Sequence, residues 1–325
     1  MSRALIIGGT RFIGRHLVEE LLAAQYDVTL LNRGRHENPF ADHDGVSHIT
    51  GDRTSGATLA NAAEEVEPDI VVDCVAYYPG EVRMATKAFS DVEAYVFISS
   101  GSSYGPDHIP KREGETPLEP CTDEQAVDDS SETYGARKAE GDRAIFEAAE
   151  NGVNAMAIRP TIVYGPYDYT GRFHYWVRQV KEHDTVLVPG DGTNIHHIVS
   201  VQNVVRGIRA IAEHGTAGEV YNVGDRRVLT LGETVETIAD ILNESVEVVT
   251  AGERELATEG IELTDFPLYN PNPHILSTEK LHSLGWNPYG YREAFQEAIA
   301  WDASPAEKPG PDRTAVESVI EFVSV

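Results

Sequence analysis

The sequence predicts a doubly wound parallel α/β sheet with a smaller C-terminal domain, and three observations predict it. Over the first hundred residues, short apolar strands alternate with amphipathic helical segments. The first strand runs directly into a glycine-rich turn, Gly8-Gly-Thr-Arg-Phe-Ile-Gly14. After residue 166 the alternation breaks and the composition turns aromatic, with Tyr167, Tyr169, Phe173, Tyr175 and Trp176 in close succession. Strands separated by helical segments pair in parallel, with helices covering both faces.

The elements follow in order. Ala4–Ile7 is an apolar strand, and Phe12–Ala24 is a helix with Leu17, Val18, Leu21 and Leu22 on one face. Asp27–Leu31, Val46–Ile49, Ile70–Val75 and Tyr95–Ser99 read as further strands, and Leu59–Val66 as a helix. Pro68-Asp69 and Pro79-Gly80 punctuate the flanks of the fourth strand. Residues 105–131, with prolines at 106, 110, 117 and 120 and many acids, read as a long surface loop near the carboxyl end of the sheet, where such folds bind ligands. A helix from about Ser131 to Asn151 and a strand from Ala155 to Arg159 then lead to Pro160-Thr-Ile-Val-Tyr-Gly-Pro166. Val201–Ala212 (helix), Glu219–Val223 (strand) and Thr230–Leu242 (helix) return to the main body. The expected division is therefore 1–166 with returning segments at about 200–242 for the sheet domain, 167–199 and 243–300 for the smaller domain, and 301–325 for an acidic linker and tail.

Composition narrows the classes. The 325 residues carry 53 Asp and Glu against 26 Lys and Arg, a formal charge of −27, and only 6 of the cations are Lys. An acidic surface of this size repels nucleic-acid phosphates and anionic membranes, so neither is an expected partner. Self-repulsion of this magnitude is screened within a few ångströms at ~1 M salt, which points to a salt-adapted protein. No apolar run approaches the ~18 residues of a membrane span, and no basic-then-apolar leader precedes the first strand, so a cytoplasmic location is expected. Cys74, in an apolar run, and Cys121, in a polar loop, make no disulfide framework. The spacing of His36, His43 and His48 matches no compact metal motif, and no metal is expected.

Three constellations carry chemistry. A strand, a tight turn with glycines at 8, 9 and 14, and a helix is the arrangement that holds a dinucleotide pyrophosphate on backbone N–H groups and a helix N-terminus. Its departure from the regular glycine spacing is Arg11, a cation available to phosphates. Tyr134 and Lys138 stand at i and i+4, on one helical face, where an ammonium favours phenolate and equips the phenol for proton exchange. Val96-Phe-Ile-Ser-Ser-Gly-Ser-Ser-Tyr-Gly105 runs from an apolar strand into four serines, one of which could hydrogen-bond the oxygen that Tyr134 serves.

In this order and at these separations, the pieces resemble the extended short-chain dehydrogenase/reductase superfamily, in its NAD-dependent epimerase/dehydratase branch. Arg159-Pro-Thr-Ile-Val-Tyr-Gly-Pro166, Val220-Tyr-Asn-Val-Gly224 and Leu284-Gly-Trp-Asn-Pro288 match further landmarks, so the resemblance spans nearly the whole chain. It implies a Rossmann domain that binds NAD(P), a smaller substrate-binding domain, and an enzyme acting on a hydroxyl or keto carbon of a sugar or sugar nucleotide. By the same resemblance, Tyr134 is the acid/base, Lys138 supports it and holds the nicotinamide ribose, and the hydroxyl selected is that of Ser100. Cofactor contacts carried over are Gly8, Thr10, Arg11, Phe12, Ile13, Gly14, Asn32, Arg33, Arg35, Asp52, Arg53, Val75, Ala76, Tyr134, Lys138, Pro160 and Val163; substrate contacts are Ser100, Ser102, Tyr164 and His196.

At the end of the second strand, Asn32 stands where an acid would take the ribose 2′-hydroxyl, and Arg33 and Arg35 follow, which favours NADP over NAD. Gly101-Ser102 occupies the place of the dehydratases' Asp-Glu pair, so dehydration is not expected. Ile162 replaces the epimerases' Asn and no Arg lies beside His196, which weakens the match to a UDP-type substrate; Arg172, Arg178 and His196 are the remaining candidate anion contacts. The Gly-Gly-Thr-Arg-Phe-Ile-Gly variant also resembles less typical members, chloroplast RNA-associated proteins among them, so a non-catalytic dinucleotide-sensing or RNA-associated role is the alternative. A homodimer through the helix of Tyr134 and its neighbour is the implied assembly.

Overall fold

The structure, a computed structural model, describes residues 2–105, 108–301 and 309–324. The chain begins β1 (Arg3–Ile7), α1 (Phe12–Ala23), β2 (Asp27–Asn32), β3 (Val46–Thr50), α2 (Gly56–Val66), β4 (Ile70–Asp73), α3 (Pro79–Ala88) and β5 (Ala94–Ile98). After the long loop come α4 (Tyr134–Glu150), β6 (Ala155–Pro160), β7 (Ile162–Tyr164), α5 (Arg172–Glu182), β8 (Thr185–Pro189), β9 (Ile195–His196) and β10 (Ile198–Ser200). Then follow α6 (Val201–His214), β11 (Val220–Val223), β12 (Leu229–Thr230), α7 (Leu231–Leu242) and β13 (Glu247–Ala251). The described chain closes with α8 (Glu253–Leu256), α9 (Glu279–Ser283), α10 (Tyr291–Ala300) and α11 (Arg313–Val323).

Two compact units result. The first takes residues 1–161, 201–224 and 276–288. Its seven-stranded sheet has the order β11-β6-β5-β4-β1-β2-β3, and every pairing is parallel. Chain direction across the sheet reverses beside β1, with β2 and β3 on one side and β4 onward on the other; this switch point opens a crevice at the carboxyl ends of the strands. β1, β4, β5 and β6 are almost wholly buried because helices cover both faces, which is why they read as continuous apolar runs. One face of the core gathers Leu5, Ile7, Val71, Tyr95, Phe97 and Ile145.

The second unit comprises residues 162–200, 225–275 and 289–325. Its core is built on Tyr164, Phe173, Trp176, Val188, Ile238 and Phe295. Residues 225–242 belong here and not with the sheet, because α7 turns Leu231, Val235 and Ile238 into this core. Residues 276–288 join the first unit instead, where Trp286 donates to the Asn203 carbonyl at 3.1 Å. The expected tail contains α11, which is capped by the Asp312 carboxylate and buries Val316 and Val319 in the second core. Residues 302–308 of the expected linker, and Pro106 of the expected loop, lie outside the described residues. The rest of that loop is fastened by bridges from Tyr104 to Leu118 and from Lys111 to Leu276.

Candidate active site

The glycine turn is sterically obligatory. Gly8 and Gly9 have φ of +114° and +91°, a region that side chains rarely enter. A Cβ on Gly14 would stand 2.7 Å from the Gly9 nitrogen, and one on Gly9 would stand 2.5 Å from a Leu30 methyl. The turn therefore folds back onto the first turn of α1 and leaves only backbone on that surface. Arg11, exposed and extended, is the N-cap residue of α1 and supplies no side-chain cap, and a helix N-terminus that directly follows a glycine turn is where a phosphate is usually held. Val75, from the end of β4, closes the other side, with a methyl 3.2 Å from where a Gly8 Cβ would be. Thr10 and Ile13 are half-buried beside the turn, and Phe12 is buried with φ of +32°. This cradle fits a pyrophosphate.

On the β2–β3 side, Asn32 is committed to the backbone: its amide donates to the Gly8 carbonyl at 3.3 Å, and its oxygen accepts from Gly34 N–H at 2.8 Å and lies 3.0 Å from His48 Nε2. Arg33 and Arg35 are exposed. Asp52 is exposed as well; its carboxyl is held below the usual range by the Thr54 N–H and hydroxyl, with the Arg33 and Arg35 charges adding to the effect. Arg53, carried over from the sequence as a cofactor contact, is engaged inside the protein. Its guanidinium is buried in an ion pair with Asp73, itself wholly buried and bonded to the Tyr95 hydroxyl at 3.0 Å.

The candidate catalytic residues sit at the β4 and β5 ends. Lys138, one turn below Tyr134 on α4, is buried and donates to the carbonyls of Ala76 and Ile98, both at 2.8 Å. These carbonyls prolong the adjacent strands β4 and β5, so one ammonium ties the two strand ends to α4. Burial pushes Lys138 down to about 8, against the pull of the Asp73, Asp142 and Glu81 carboxylates. The rings of Phe97, Tyr77 and Tyr134 surround Nζ at 4.8, 5.2 and 5.8 Å.

Ser100 is brought to this point by packing. It caps the 3-10 turn Gly101–Ser103, with Oγ accepting from Ser102 N–H at 3.1 Å. A Cβ on Gly135 would stand 2.5 Å from the Ser102 carbonyl, so only glycine after Tyr134 lets α4 lie against the serine turn. Ser102 is exposed, whereas Ser99 and Ser103 are buried. Behind the turn, Tyr104 is locked between the Arg159 guanidinium (2.6 Å) and the Asn222 amide oxygen (2.9 Å), and Arg159 also donates to Asp142 of α4 at 2.9 Å. Burial pushes the Tyr104 phenol up to about 12.

Two residues that the sequence carried over as substrate contacts are buried within the second unit. Tyr164 is in the core of the second unit, its ring 4.9 Å from that of Phe173 and its hydroxyl donating to Asp225 at 2.8 Å. His196 is buried in the same unit, 3.1 Å from the Thr234 hydroxyl, and burial lowers it to about 4, so it is neutral near pH 7 and is no anion contact. Pro160 ends β6 opposite Val223, and Val163 lies in β7 opposite Val199. Sequence reasoning missed Tyr77, Glu81 and Arg137, which shape the loop after β4; a pair of tyrosines following the fourth strand was the available signal.

A glycine turn at the sheet switch point and a buried lysine beside a tyrosine and a serine define a dinucleotide-binding Rossmann protein of the extended short-chain dehydrogenase/reductase class. The sequence model of the NAD dependent epimerase/dehydratase family matches residues 4–224, and the chain belongs to that family. It is 26% identical over 301 residues to the chloroplast stem-loop binding protein of 41 kDa b of Arabidopsis thaliana, covering 88% of this chain and 75% of that one. Among solved structures, dTDP-glucose 4,6-dehydratase of Bacillus anthracis in complex with NAD superposes with a TM-score of 0.72 at 22% identity, covering 93% of this chain and 96% of the other. UDP-glucose 4-epimerase of Thermus thermophilus, also in complex with NAD, gives 0.69 at 22% identity, with 92% and 98% covered. A dehydratase among these neighbours means that the comparisons lend no support to excluding dehydration.

Proposed function

We propose that the protein is a nicotinamide-dinucleotide-dependent oxidoreductase or epimerase acting on a hydroxyl or keto carbon of a sugar or sugar nucleotide. The observation that carries the reading is Lys138: a buried ammonium, one helical turn from Tyr134, held on two strand-end carbonyls beside the serine turn. A solely structural lysine would not need so costly a position. When bound, the cofactor supplies the hydride chemistry. The chain's own residues do the rest: Ser100 holds the substrate oxygen, Tyr134 takes or returns its proton, and Lys138 favours the charged phenol and orients the neighbouring ribose. Exposed Arg33 and Arg35, with Asn32 in place of an acid, support NADP; the NAD complexes among the structural neighbours support NAD, and direct titration decides between them. Gly101-Ser102 offers no carboxylate for eliminating water, which supports epimerisation or net redox over dehydration. A homodimer through α3 and α4 accompanies this reading.

The test is a screen of sugars and sugar nucleotides in concentrated KCl, following nicotinamide absorbance and product stereochemistry. Tyr134→Phe is expected to abolish turnover while cofactor affinity stays within about twofold. Wild-type turnover in that variant refutes the mechanism, and a 4-keto-6-deoxy product refutes the exclusion of dehydration. The alternative, an RNA-associated protein, is favoured by the stem-loop binding relative. Retarded migration of a stem-loop RNA with no turnover in the screen would establish it instead.

A further inference from the structure

Lys138 shares its dry surroundings with two buried aspartate–arginine pairs, and the two come from different elements. Asp73 ends β4, while Asp142 lies on α4, four residues after Lys138 and so on the face that carries Tyr134 and Lys138. Both aspartates are wholly buried. Asp73 is paired with Arg53 and also accepts from the Tyr95 hydroxyl at 3.0 Å and from Val75 N–H at 3.2 Å. Asp142 is paired with Arg159 at 2.9 Å through Oδ2 alone, and its Oδ1 is buried without a hydrogen bond. Arg159 in turn donates to the Tyr104 hydroxyl at 2.6 Å, just beyond the serine turn. Well-packed apolar side chains in place of a buried ion pair are commonly neutral or stabilising, so stability does not explain two such pairs around one ammonium. The bare Asp142 oxygen shows that this carboxylate is not there for its own hydrogen bonds.

What needs them is the charge on Lys138. Both hydrogen bonds of its Nζ go to neutral carbonyls, which orient the ammonium but add no negative charge. Burial alone drives a lysine toward the neutral amine, and a neutral amine does not favour a phenolate. The charged and titratable groups around it are Asp73 and Cys74 at the end of β4, Glu81 of α3, and Tyr134, Arg137 and Asp142 of α4. Arg137, which donates to the Tyr77 carbonyl at 3.4 Å, adds a like charge. Glu81 is partly exposed and accepts from the N–H groups of Tyr77 and Tyr78 at 2.8 and 3.2 Å. Asp73 and Asp142 are the acids sealed completely from water. We propose that Asp73 and Asp142 are positioning residues for the Tyr134–Lys138 pair: two sealed carboxylates, each anchored by its own arginine, hold Lys138 as an ammonium that can act on the Tyr134 phenol. This rests on the acid/base reading above and extends it to two residues buried out of reach of any substrate. Their pull opposes the burial that brings Lys138 down to about 8. The surface acids of a chain carrying −27 pull in the same direction, but salt screens exposed charges far more than sealed ones.

The experiment reads Lys138 directly. The chain has only 6 lysines, so carbon-13 labelling of lysine gives few enough Cε signals to follow each by NMR through a pH titration, and Lys138→Met identifies the signal of Lys138. In about 2 M KCl, where surface acids are screened, Asp73→Asn and Asp142→Asn are each expected to lower the Lys138 midpoint by about one pH unit or more. Glu147→Gln, which removes an exposed acid of the same helix, leaves it in place. Circular dichroism confirms that each variant is folded. A second measurement needs no substitution: in the wild type, the midpoints of exposed Lys87 and Lys181 fall as KCl rises from about 0.2 to 2 M, and that of Lys138 stays where it is. With a substrate from the screen, the alkaline limb of the pH–rate profile moves to lower pH in both variants by the interval read in the titration. A Lys138 midpoint unmoved in either variant, a midpoint that falls with KCl as far as those of Lys87 and Lys181, or a pH–rate profile that ignores a shifted midpoint overturns the proposal while leaving the acid/base reading intact. Wild-type turnover in Tyr134→Phe overturns that reading by itself, whatever the titration shows.

Discussion

Lys138→Met isolates the energetics at the centre of the proposed site. The methionine fills nearly the same volume, removes a buried charge and leaves the Ala76 and Ile98 carbonyls without their donor. Two opposing terms follow. Each orphaned buried carbonyl costs about 1–3 kcal/mol. Against this, the wild type carries the penalty of a lysine whose folded value, about 8, lies below its ordinary 10.5 because of burial. Such a group costs stability wherever the unfolded chain binds the proton more tightly. The penalty is full below pH 8 and fades as pH rises toward 10.5. At 1.36 kcal/mol per pH unit, it amounts to roughly 3 kcal/mol near neutrality. At pH 7 the variant should thus lie within a few kcal/mol of the wild type. Between pH 7 and pH 10 the wild type should gain about 2–3 kcal/mol on the variant, since other titrating groups are common to both and cancel. Urea unfolding of both proteins at several pH values in constant KCl measures the difference. Stability curves that run parallel from pH 7 to pH 10 refute a dry, charged lysine at this position.

The remaining predictions use other parts of the molecule. Gly14→Ala drives a methyl into the Gly9 backbone, so dinucleotide affinity should drop at least about tenfold, with a stability loss of about 1–3 kcal/mol by urea titration; unchanged affinity would show that the turn does not bind phosphate. Arg159→Leu leaves Asp142 buried without its partner and should cost about 3–5 kcal/mol, much of it restored by adding Asp142→Leu; a single variant as stable as wild type would contradict the buried network. His196, lowered to about 4 by burial, is neutral in the folded state and takes up a proton more readily when unfolded. Its contribution is present above pH 6.5 and lost as pH falls toward 4, so wild type should lose about 2–3 kcal/mol against His196→Asn over that range in acid unfolding. With a charge of −27, the melting temperature should climb steadily from 0.1 to 2 M KCl, and a flat response would remove the case for salt adaptation.

How much was legible in the sequence follows from which interactions are local. The glycine turn, the strand–helix alternation and the shared face of Tyr134 and Lys138 depend on neighbours within a few residues, where backbone geometry imposes periods of 2 and 3.6. These were readable directly, and the family landmarks added Ser100. Pairings that span longer stretches were not. Arg53 reads as one more basic residue of the crevice until Asp73, twenty residues on, is found buried against it. Tyr164 and His196 resemble substrate contacts in one dimension, yet Asp225 and Thr234, 61 and 38 residues away, hold them in the second core. Lys138 has an ordinary sequence position, and only the convergence of Ala76 and Ile98 from two strands makes it dry. Tyr77 went unread because five side chains from four separate segments fasten its loop. The sequence by itself determined the α/β class, the glycine turn after β1 and the shared helical face of Tyr134 and Lys138, since short-range geometry encodes them. Tertiary structure alone decided which charges face the crevice and which are sealed beneath it, because burial depends on every element packed around a residue.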